Sequence, residues 1–253
     1  MNLSMFDLTK KVALVTGGYR GIGRGIAEGL AEAGADLVLC GRHLELCEEA
    51  CHEIEKLGVK TLAVKCDVSK VEDVEEMIHA AIKIFGKIDI LVNNAGITGS
   101  AKPVIEMRDE EWDKTQAINL KGIFLCSRAT AKEMIRQSRG KIINVMSVNS
   151  FIPFPHSGDY CASKGGGLLL TRVLALELIR YNIQVNAICP GFFDTELNPG
   201  PKEGFDKVFM KRIPIRRIAH IKEIKGLAIL LASSASDYMV GSAVAIDGGV
   251  MLR

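Results

Sequence analysis

Thr16-Gly17-Gly18-Tyr19-Arg20-Gly21-Ile22-Gly23 joins a short β-branched run, Lys11 to Thr16, to apolar residues at helical spacing that continue to Gly34. The pattern predicts a strand, a glycine-rich turn and a helix. Glycines let the backbone of such a turn approach a pyrophosphate closely, and the helix start supplies unpaired N–H groups and a favourable dipole. We therefore expect nucleotide contacts from Gly17, Tyr19, Arg20, Gly21, Ile22 and Gly23; a turn that binds no ligand is the alternative.

Strands and helices alternate along the rest of the chain. Apolar and β-branched runs predict strands at 36–40, 60–64, 88–92, 141–146, 183–188 and 243–247, and apolar periodicity predicts helices at 44–57, 71–85, 109–137, 157–181 and 221–231. Helices of this length between strands imply parallel pairing through right-handed crossovers. We therefore expect an α/β protein, a single-domain Rossmann fold over residues 1–253 with a doubly wound, seven-stranded parallel sheet and helices on both faces.

Composition favours a small-molecule partner. The 253 residues are 48% apolar and 25% charged, with a formal charge of +2 and no block of like charges, which argues against nucleic-acid or membrane-surface partners. The apolar stretch 165–179 is too short to span a bilayer. Seven cysteines without C-x-x-C spacing suit reduced thiols in the cytoplasm.

His43, Cys47 and Cys51 recur every four residues and raise the question of a metal site. However, Cys47, Ala50, Cys51 and Ile54 also form the apolar stripe expected of an amphipathic helix. Because free cysteine is so often buried, we favour a core role and expect no metal.

The choice of cofactor depends on the end of the second strand. In dinucleotide-binding folds an acid there selects the ribose hydroxyls of NAD, whereas a nearby arginine can bind the 2′-phosphate of NADP. Here the position reads Cys40-Gly41-Arg42, without an acid, and Arg20 could bring a second guanidinium. NADP(H) is therefore favoured, with NAD(H) as the alternative if both arginines are only solvated surface residues.

Five motifs occur in order along the chain: Thr16-Gly17-x3-Gly21-x-Gly23, Asn93-Asn94-Ala95-Gly96, Ser147, Tyr160-x3-Lys164 and Pro190-Gly191. Together they resemble the pattern of the short-chain dehydrogenase/reductase family, from about Lys10 to the C-terminus. The resemblance implies NAD(P)-dependent interconversion of a carbonyl and an alcohol on a one-domain Rossmann fold.

The catalytic residues can also be argued from chemistry. Tyr160 and Lys164 lie four residues apart near a helix start and share one face, so the ammonium group should lower the pKa of the phenol and make it a general acid/base. Ser147, at a strand end, can donate to a carbonyl that gains negative charge. Taken singly, the three residues could instead be a turn serine, a half-buried aromatic and a solvated lysine.

Further roles come from the resemblance alone. The resemblance implies that Asn119 is the fourth catalytic residue, whose amide or backbone holds a water that joins Lys164 to solvent; an ordinary exposed helix asparagine is the alternative. Cofactor contacts are implied for three segments: Asn94, Ala95 and Gly96 at the adenosine ribose, Asp67 and Val68 at the adenine, and Pro190, Gly191, Phe193 and Thr195 at the nicotinamide. Near Asp67, a helix N-cap role is the alternative.

Substrate specificity is expected from 149–159 and from an irregular stretch, 192–217, that we interpret as a lid. The candidate substrate residues are Ser147, Asn149, His156, Tyr160 and Phe192. The C-terminal half, from Tyr181 to Gly249, resembles sugar-acid members such as gluconate 5-dehydrogenases, and 3-oxoacyl-ACP reductases are almost as similar. A non-catalytic NADP-binding scaffold is a third hypothesis.

The resemblance also implies a homotetramer through the helices near 109–137 and 157–181. The second of these contains Gly165-Gly166-Gly167, which costs about 3 kcal/mol relative to three alanines. Close approach of backbones at that face would offset the cost.

Overall fold

The structure is a computed structural model that describes residues 3–195 and 210–252. Its centre is one seven-stranded sheet in the order β3-β2-β1-β4-β5-β6-β7, with every neighbouring pair parallel. The strands are β1 Val12–Thr16, β2 Asp36–Gly41, β3 Thr61–Lys65, β4 Ile90–Asn93, β5 Gly140–Val145, β6 Ile183–Pro190 and β7 Ala243–Ile246. The predicted Rossmann architecture is confirmed, and the strands differ from their predicted bounds by one or two residues at their ends.

The position of β1 determines where ligands can bind. The chain moves outward from β1 to β2 and β3, then returns to place β4 on the other side of β1. The carboxyl ends of β1 and β4 therefore flank the crevice at which ligands bind in sheets of this type. All five residues of β1 are buried, so the strand carries no solvent-exposed side chain between the two helical layers.

Helices cover both faces of the sheet. They are α1 Gly21–Glu32, α2 Leu44–Glu55, α3 Val71–Phe85, α4 Asp109–Gln116, α5 Gly122–Gln137, α6 Gly158–Leu178 and α7 Lys225–Ala232. Buried residues of α1, α2 and α7 pack in one apolar cluster, and those of α3, α5 and α6 pack in another. Each cluster includes residues from alternate positions of the strands, as expected when both faces of a sheet are buried.

The predicted helix 109–137 is present over these residues, but its hydrogen-bond pattern changes in the middle. One turn of π-helix, Ala117–Lys121, separates α4 from α5. A π turn shifts the side chains that follow it around the helix axis, and such turns occur frequently at functional sites. Here the turn contains Asn119, which is fully buried.

The cysteine stripe of α2 belongs to the core. Cys47, Ala50, Cys51 and Ile54 are buried, whereas the His43 side chain is more than half exposed. Within 3–195 and 210–252, no group of three His, Cys, Asp or Glu side chains could hold a metal ion. Nor does this part of the chain contain a helix long and apolar enough to cross a membrane.

The glycines of α6 are packed from within the chain. A Cβ atom on Gly167 would lie 2.9 Å from the Met146 sulfur, and one on Gly166 would lie 3.2 Å from Leu120. Two of the three glycines thus permit close contacts inside the subunit. Their presence is explained without reference to a second copy of the chain.

Candidate active site

A cleft of about 470 Å³ runs along the carboxyl edge of the sheet. It is lined by the glycine turn, the ends of β2 and β3, the segment after β4, and the start of α6. All predicted cofactor residues except Pro190 line this cleft, together with Ser147, Asn149 and Phe192. Residues that are far apart in the sequence are therefore assembled in one place.

The glycine turn forms a cradle of backbone at one end of the cleft. Gly17 and Gly21 have positive φ angles of 63° and 53°, which glycine adopts most readily. A Cβ atom on Gly23 would overlap the Asn94 amide and the Gly17 carbonyl oxygen. Only backbone fits here, beside the start of α1, and this arrangement suits the pyrophosphate of a dinucleotide.

Thr16 and Asn94 hold the cradle against β4. The Thr16 hydroxyl accepts hydrogen bonds from the N–H groups of Asn94 and Ala95, both at 3.0 Å. The Asn94 side-chain amide in turn donates to the carbonyl oxygens of Thr16 at 3.0 Å and Gly17 at 3.1 Å. Sequence reasoning did not identify Thr16 as a site residue, although a hydroxyl residue directly before the glycines was the available signal.

The adenosine end of the cleft has no space for an acid at position 41. A Cβ atom on Gly41 would lie 2.6 Å from the Tyr19 ring, so the tyrosine occupies the volume that a side chain would need. The Arg20 guanidinium lies 5.4 Å from the centre of the same ring, within cation–π range. Arg42 follows at the cleft wall, and this end of the site carries positive charge.

Asp67 lies at the same end and is held in a local turn. Its carboxylate accepts hydrogen bonds from the Ser69 N–H at 3.0 Å and the Ser69 hydroxyl at 2.7 Å. Burial raises the pKa of Asp67, but the Ser69 hydrogen bonds and the charge of Arg42 outweigh it and hold the pKa below its usual value. The carboxylate is thus ionised and faces the cleft, while α3 itself is capped by Lys70 without a side-chain hydrogen bond.

At the opposite end, Ser147, Tyr160 and Lys164 line the cleft together. Ser147 follows β5, and its hydroxyl accepts from the Asn149 N–H at 3.1 Å. The Lys164 ammonium group donates to the Val145 carbonyl oxygen at 2.9 Å and lies 5.7 Å from the centre of the Tyr160 ring. The lysine is therefore a buried residue of fixed position and not a solvated helix charge.

The electrostatics differ from the sequence-based expectation. Burial lowers the pKa of Lys164 to about 8. Burial also raises the pKa of Tyr160, and a hydrogen bond with Ser147 offsets only part of that effect. The expected lowering of the Tyr160 pKa by Lys164 is therefore wrong, because desolvation of the phenolate outweighs the hydrogen bond with Ser147 and leaves the pKa raised.

Asn119 is held on all sides. Its side-chain oxygen accepts from the Ile97 N–H at 2.8 Å, and its side-chain amide donates to the Ile97 carbonyl oxygen at 2.9 Å and the Ser163 hydroxyl at 3.2 Å. A Cβ atom on Gly96 would lie 3.2 Å from the Asn119 oxygen and 3.7 Å from the Lys164 nitrogen. Asn119, Gly96 and Lys164 therefore lie close together.

Only some of the predicted substrate residues line the cleft. Phe192 and Phe154 form an edge-to-face pair with ring centres 6.2 Å apart at the cleft wall, and the Asn149 amide lies 3.6 Å from the Cys161 sulfur. His156, with a positive φ of 60°, is exposed and lies outside the cleft lining. Most of the predicted lid, 196–209, lies outside the described residues. Other residues line the cleft that were not singled out from sequence: Cys66, Ile97, Thr98, Ile118 and Met146.

Comparison with known proteins agrees with this geometry. Residues 11–204 match the model of the short chain dehydrogenase family. The chain is 39% identical to the 2-dehydro-3-deoxy-D-gluconate 5-dehydrogenase of Dickeya dadantii, over the full length of both. It is 35% identical to a 3-oxoacyl-[acyl-carrier-protein] reductase of Staphylococcus epidermidis, covering 96% of this chain and 99% of that one.

Among solved structures, a gluconate 5-dehydrogenase from Burkholderia cenocepacia in complex with NADP and tartrate superposes with a TM-score of 0.94. Its sequence is 37% identical, and the match covers 99% of both chains. The resemblance inferred from the five motifs is confirmed. The chain therefore belongs to the short-chain dehydrogenase family, as an oxidoreductase that binds a nicotinamide cofactor and acts on the CH–OH group of a small molecule.

Proposed function

We propose that this protein is an NADP(H)-dependent dehydrogenase that interconverts a keto group and a secondary alcohol on a sugar acid. The observation that carries the proposal is the presence of Ser147, Tyr160 and Lys164 in the same cleft as the glycine cradle. Support for the substrate class comes from the relatives, since a 2-dehydro-3-deoxy-D-gluconate 5-dehydrogenase and a gluconate 5-dehydrogenase both match the chain over nearly its whole length.

In the direction of reduction, each of the three residues has a separate task. The Ser147 hydroxyl donates a hydrogen bond to the carbonyl oxygen and stabilises the charge that develops there. Tyr160 then transfers its proton to that oxygen as a general acid, and its raised pKa keeps it protonated for this purpose. The Lys164 ammonium group, next to the ring, stabilises the phenolate that remains.

The cofactor, when bound, supplies or accepts the hydride. Residues of this chain would hold it: the cradle of Gly17, Gly21 and Gly23 would take the pyrophosphate, and Gly191, Phe193 and Thr195 would take the nicotinamide end. In alcohol oxidation the Tyr160 phenolate acts as the base. Asn119 supports this exchange by holding the segment at Ile97, next to the Lys164 ammonium group.

The preference for NADP(H) over NAD(H) is supported by charge and by shape. Arg20 and Arg42 both line the adenosine end, where they can bind a 2′-phosphate. The Tyr19 ring over Gly41 excludes the acid that would select the free ribose hydroxyls. The NADP complex of the Burkholderia cenocepacia relative is consistent with this choice.

One experiment distinguishes the proposed function from two others, a 3-oxoacyl-ACP reductase and a non-catalytic NADP-binding scaffold. NADPH absorbance is followed while the protein is offered keto sugar acids, acetoacetyl thioesters and simple ketones. Fastest turnover of a keto sugar acid supports the proposal, whereas fastest turnover of the thioesters favours a 3-oxoacyl-ACP reductase. Binding of NADPH without turnover of any compound favours a non-catalytic scaffold.

We further infer a homotetramer, in which α4 to α5 and α6 pack against their copies. Leu169 and Leu176 on α6 are 62% and 77% exposed, and Phe124 on α5 is 42% exposed. Apolar side chains repeated along exposed helix faces are typical of an interface. Light scattering on the parent protein and on Leu176→Arg tests the inference. We expect a tetramer for the parent and dissociation in the variant. A monomeric parent would contradict the inference.

A further inference from the structure

Asp159 is a fully buried carboxylate directly before Tyr160. It lies in the first turn of α6, where the helix dipole stabilises a negative charge. A buried carboxylate needs hydrogen bonds to offset the loss of water, and Asp159 has them from three parts of the chain. Those partners indicate what it does.

One oxygen of Asp159 accepts from the Tyr160 N–H at 2.8 Å. The other accepts from the Ser100 N–H at 2.9 Å and from the Thr115 hydroxyl at 2.9 Å. The main-chain oxygen of Asp159 also accepts from the Gln116 side chain at 2.9 Å. The residue therefore joins the start of α6 to α4 and to the segment that follows β4.

That segment forms a wall of the reaction end of the cleft. Ile97 and Thr98 line the cleft, and Gly99 passes so close to Asp159 that a Cβ atom there would lie 2.6 Å from its carboxylate. Asn119 fixes the segment at Ile97, and Asp159 fixes it three residues later, at Ser100. Both ends of a short wall are thus attached to buried side chains.

We propose that Asp159 is a positioning residue for the reaction, because it fixes the Tyr160 backbone and the 97–100 wall relative to each other. The inference rests on the proposed function only in taking Tyr160 as the proton donor. A hydroxyl that is displaced by about 1 Å can lose about a hundredfold in rate, whatever the substrate. The carboxylate acts through distance and orientation and does not itself touch the substrate.

The chemistry of the carboxylate makes a sharp test available. Asp159→Asn keeps the shape but replaces one acceptor oxygen by an NH2 group, so either the Tyr160 or the Ser100 N–H loses its partner. Thr115→Val removes the hydroxyl contacts with Asp159 and with the Glu111 carbonyl oxygen, and it keeps both backbone hydrogen bonds to the Asp159 carboxylate. Thr171→Val is the matched control, because it deletes another buried threonine hydroxyl, one that bonds Asn144 and Gly167.

The measurements are kcat and KM with whichever carbonyl compound the parent reduces, the Kd of NADPH, and hydrogen exchange. We expect kcat to fall about tenfold to a hundredfold in Asp159→Asn and about threefold to tenfold in Thr115→Val. KM and the Kd of NADPH should change by less than about twofold, and Thr171→Val should keep its kcat. Exchange should become faster in peptides that contain Ser100 and Tyr160 but not in those from α3.

Two results overturn the proposal: a kcat of Asp159→Asn equal to that of the parent, or losses in Thr171→Val as large as those in Thr115→Val. Should Asp159→Asn fail to fold, Thr115→Val and its control settle the matter. Failure of the sugar-acid assignment is distinguishable, since it is seen in the parent enzyme's choice of substrate. Failure of the positioning role is seen only in the variants.

Discussion

The two ends of the cleft are built in different ways. The nucleotide end is formed mainly by backbone, at Gly17, Gly21 and Gly23, with cations at its border. The reaction end is formed by buried side chains, among them Asn119 and Lys164, each with named hydrogen bonds. The first end is a shape into which a long ligand fits, and the second is a set of atoms at fixed positions.

Because of this difference, we expect substitutions at the two ends to have different effects. A dinucleotide spreads its binding free energy over many contacts, so loss of one side chain there should weaken binding moderately. Proton transfer depends on a few atoms, so loss of one of them should reduce the rate greatly and leave binding intact. The following changes test whether binding and rate can be separated in this way.

Tyr160→Phe should have the largest effect, because it removes the proton donor and little else. We expect kcat to fall about 10²–10⁴-fold while the Kd of NADPH, measured by fluorescence, stays within about twofold. Tyr238→Phe, at a fully exposed tyrosine, is the control. Comparable turnover in Tyr160→Phe would remove Tyr160 from the mechanism.

Gly23→Ala should act at the nucleotide end of the cleft, and it should weaken the binding of NADPH. The new methyl group would overlap the Asn94 amide and the Gly17 carbonyl oxygen, so the cradle must open. Overpacking of this kind costs about 1–3 kcal/mol, which corresponds to binding of NADPH that is about tenfold to a hundredfold weaker. Gly226→Ala is the matched control, since a Cβ atom there meets no atom within 4 Å. Unchanged affinity in Gly23→Ala would argue against the cradle.

Arg42→Asp should change selectivity more than overall affinity. Loss of a charge-assisted bond to the 2′-phosphate, together with repulsion, should shift the kcat/KM ratio of NADPH to NADH by about tenfold towards NADH. Lys65→Asp, an exposed cation at the end of β3, controls for a general effect of charge. If the ratio stays the same in Arg42→Asp, this arginine does not bind the phosphate.

The smallest effect should be that of pH on the rate of reduction, through the ionisation of Lys164 at the reaction end of the cleft. Since burial lowers the pKa of Lys164 to about 8, its ammonium form predominates below that value and is lost as the pH rises through it. Reduction needs the ammonium group to stabilise the phenolate, so kcat for reduction should fall severalfold above pH 8. The Kd of NADPH should vary much less. A reductive kcat that rises through this range would contradict the role given to Lys164.

Much of the fold could be predicted because hydrophobic and β-branched patterns are local. Each of the seven strands is a short run of this kind, and the helices between them keep a regular apolar spacing. The π turn at Ala117–Lys121 could not be predicted, since it changes the helix by one residue and leaves the apolar pattern almost intact. The turn contains Asn119, which bonds Ile97 from another segment, 22 residues earlier in the chain.

The same distinction applies to the site. Glycines before a helix and a tyrosine four residues before a lysine are visible in the sequence, and the cleft brings them together. The direction of the Tyr160 pKa shift was not visible, because it depends on how much water folding removes. The hydrogen bonds that Asp159 accepts from Thr115 and Ser100 were not visible either, because these two partners belong to other segments of the chain.

The contact between Tyr19 and Gly41 has a consequence for how cofactor preference could evolve or be redesigned. A carboxylate introduced at position 41 meets the tyrosine ring and lacks space until that ring is replaced by something smaller. The two changes are therefore epistatic, and their order matters. A change at position 19 made first therefore removes the clash that a carboxylate at position 41 would meet on its own.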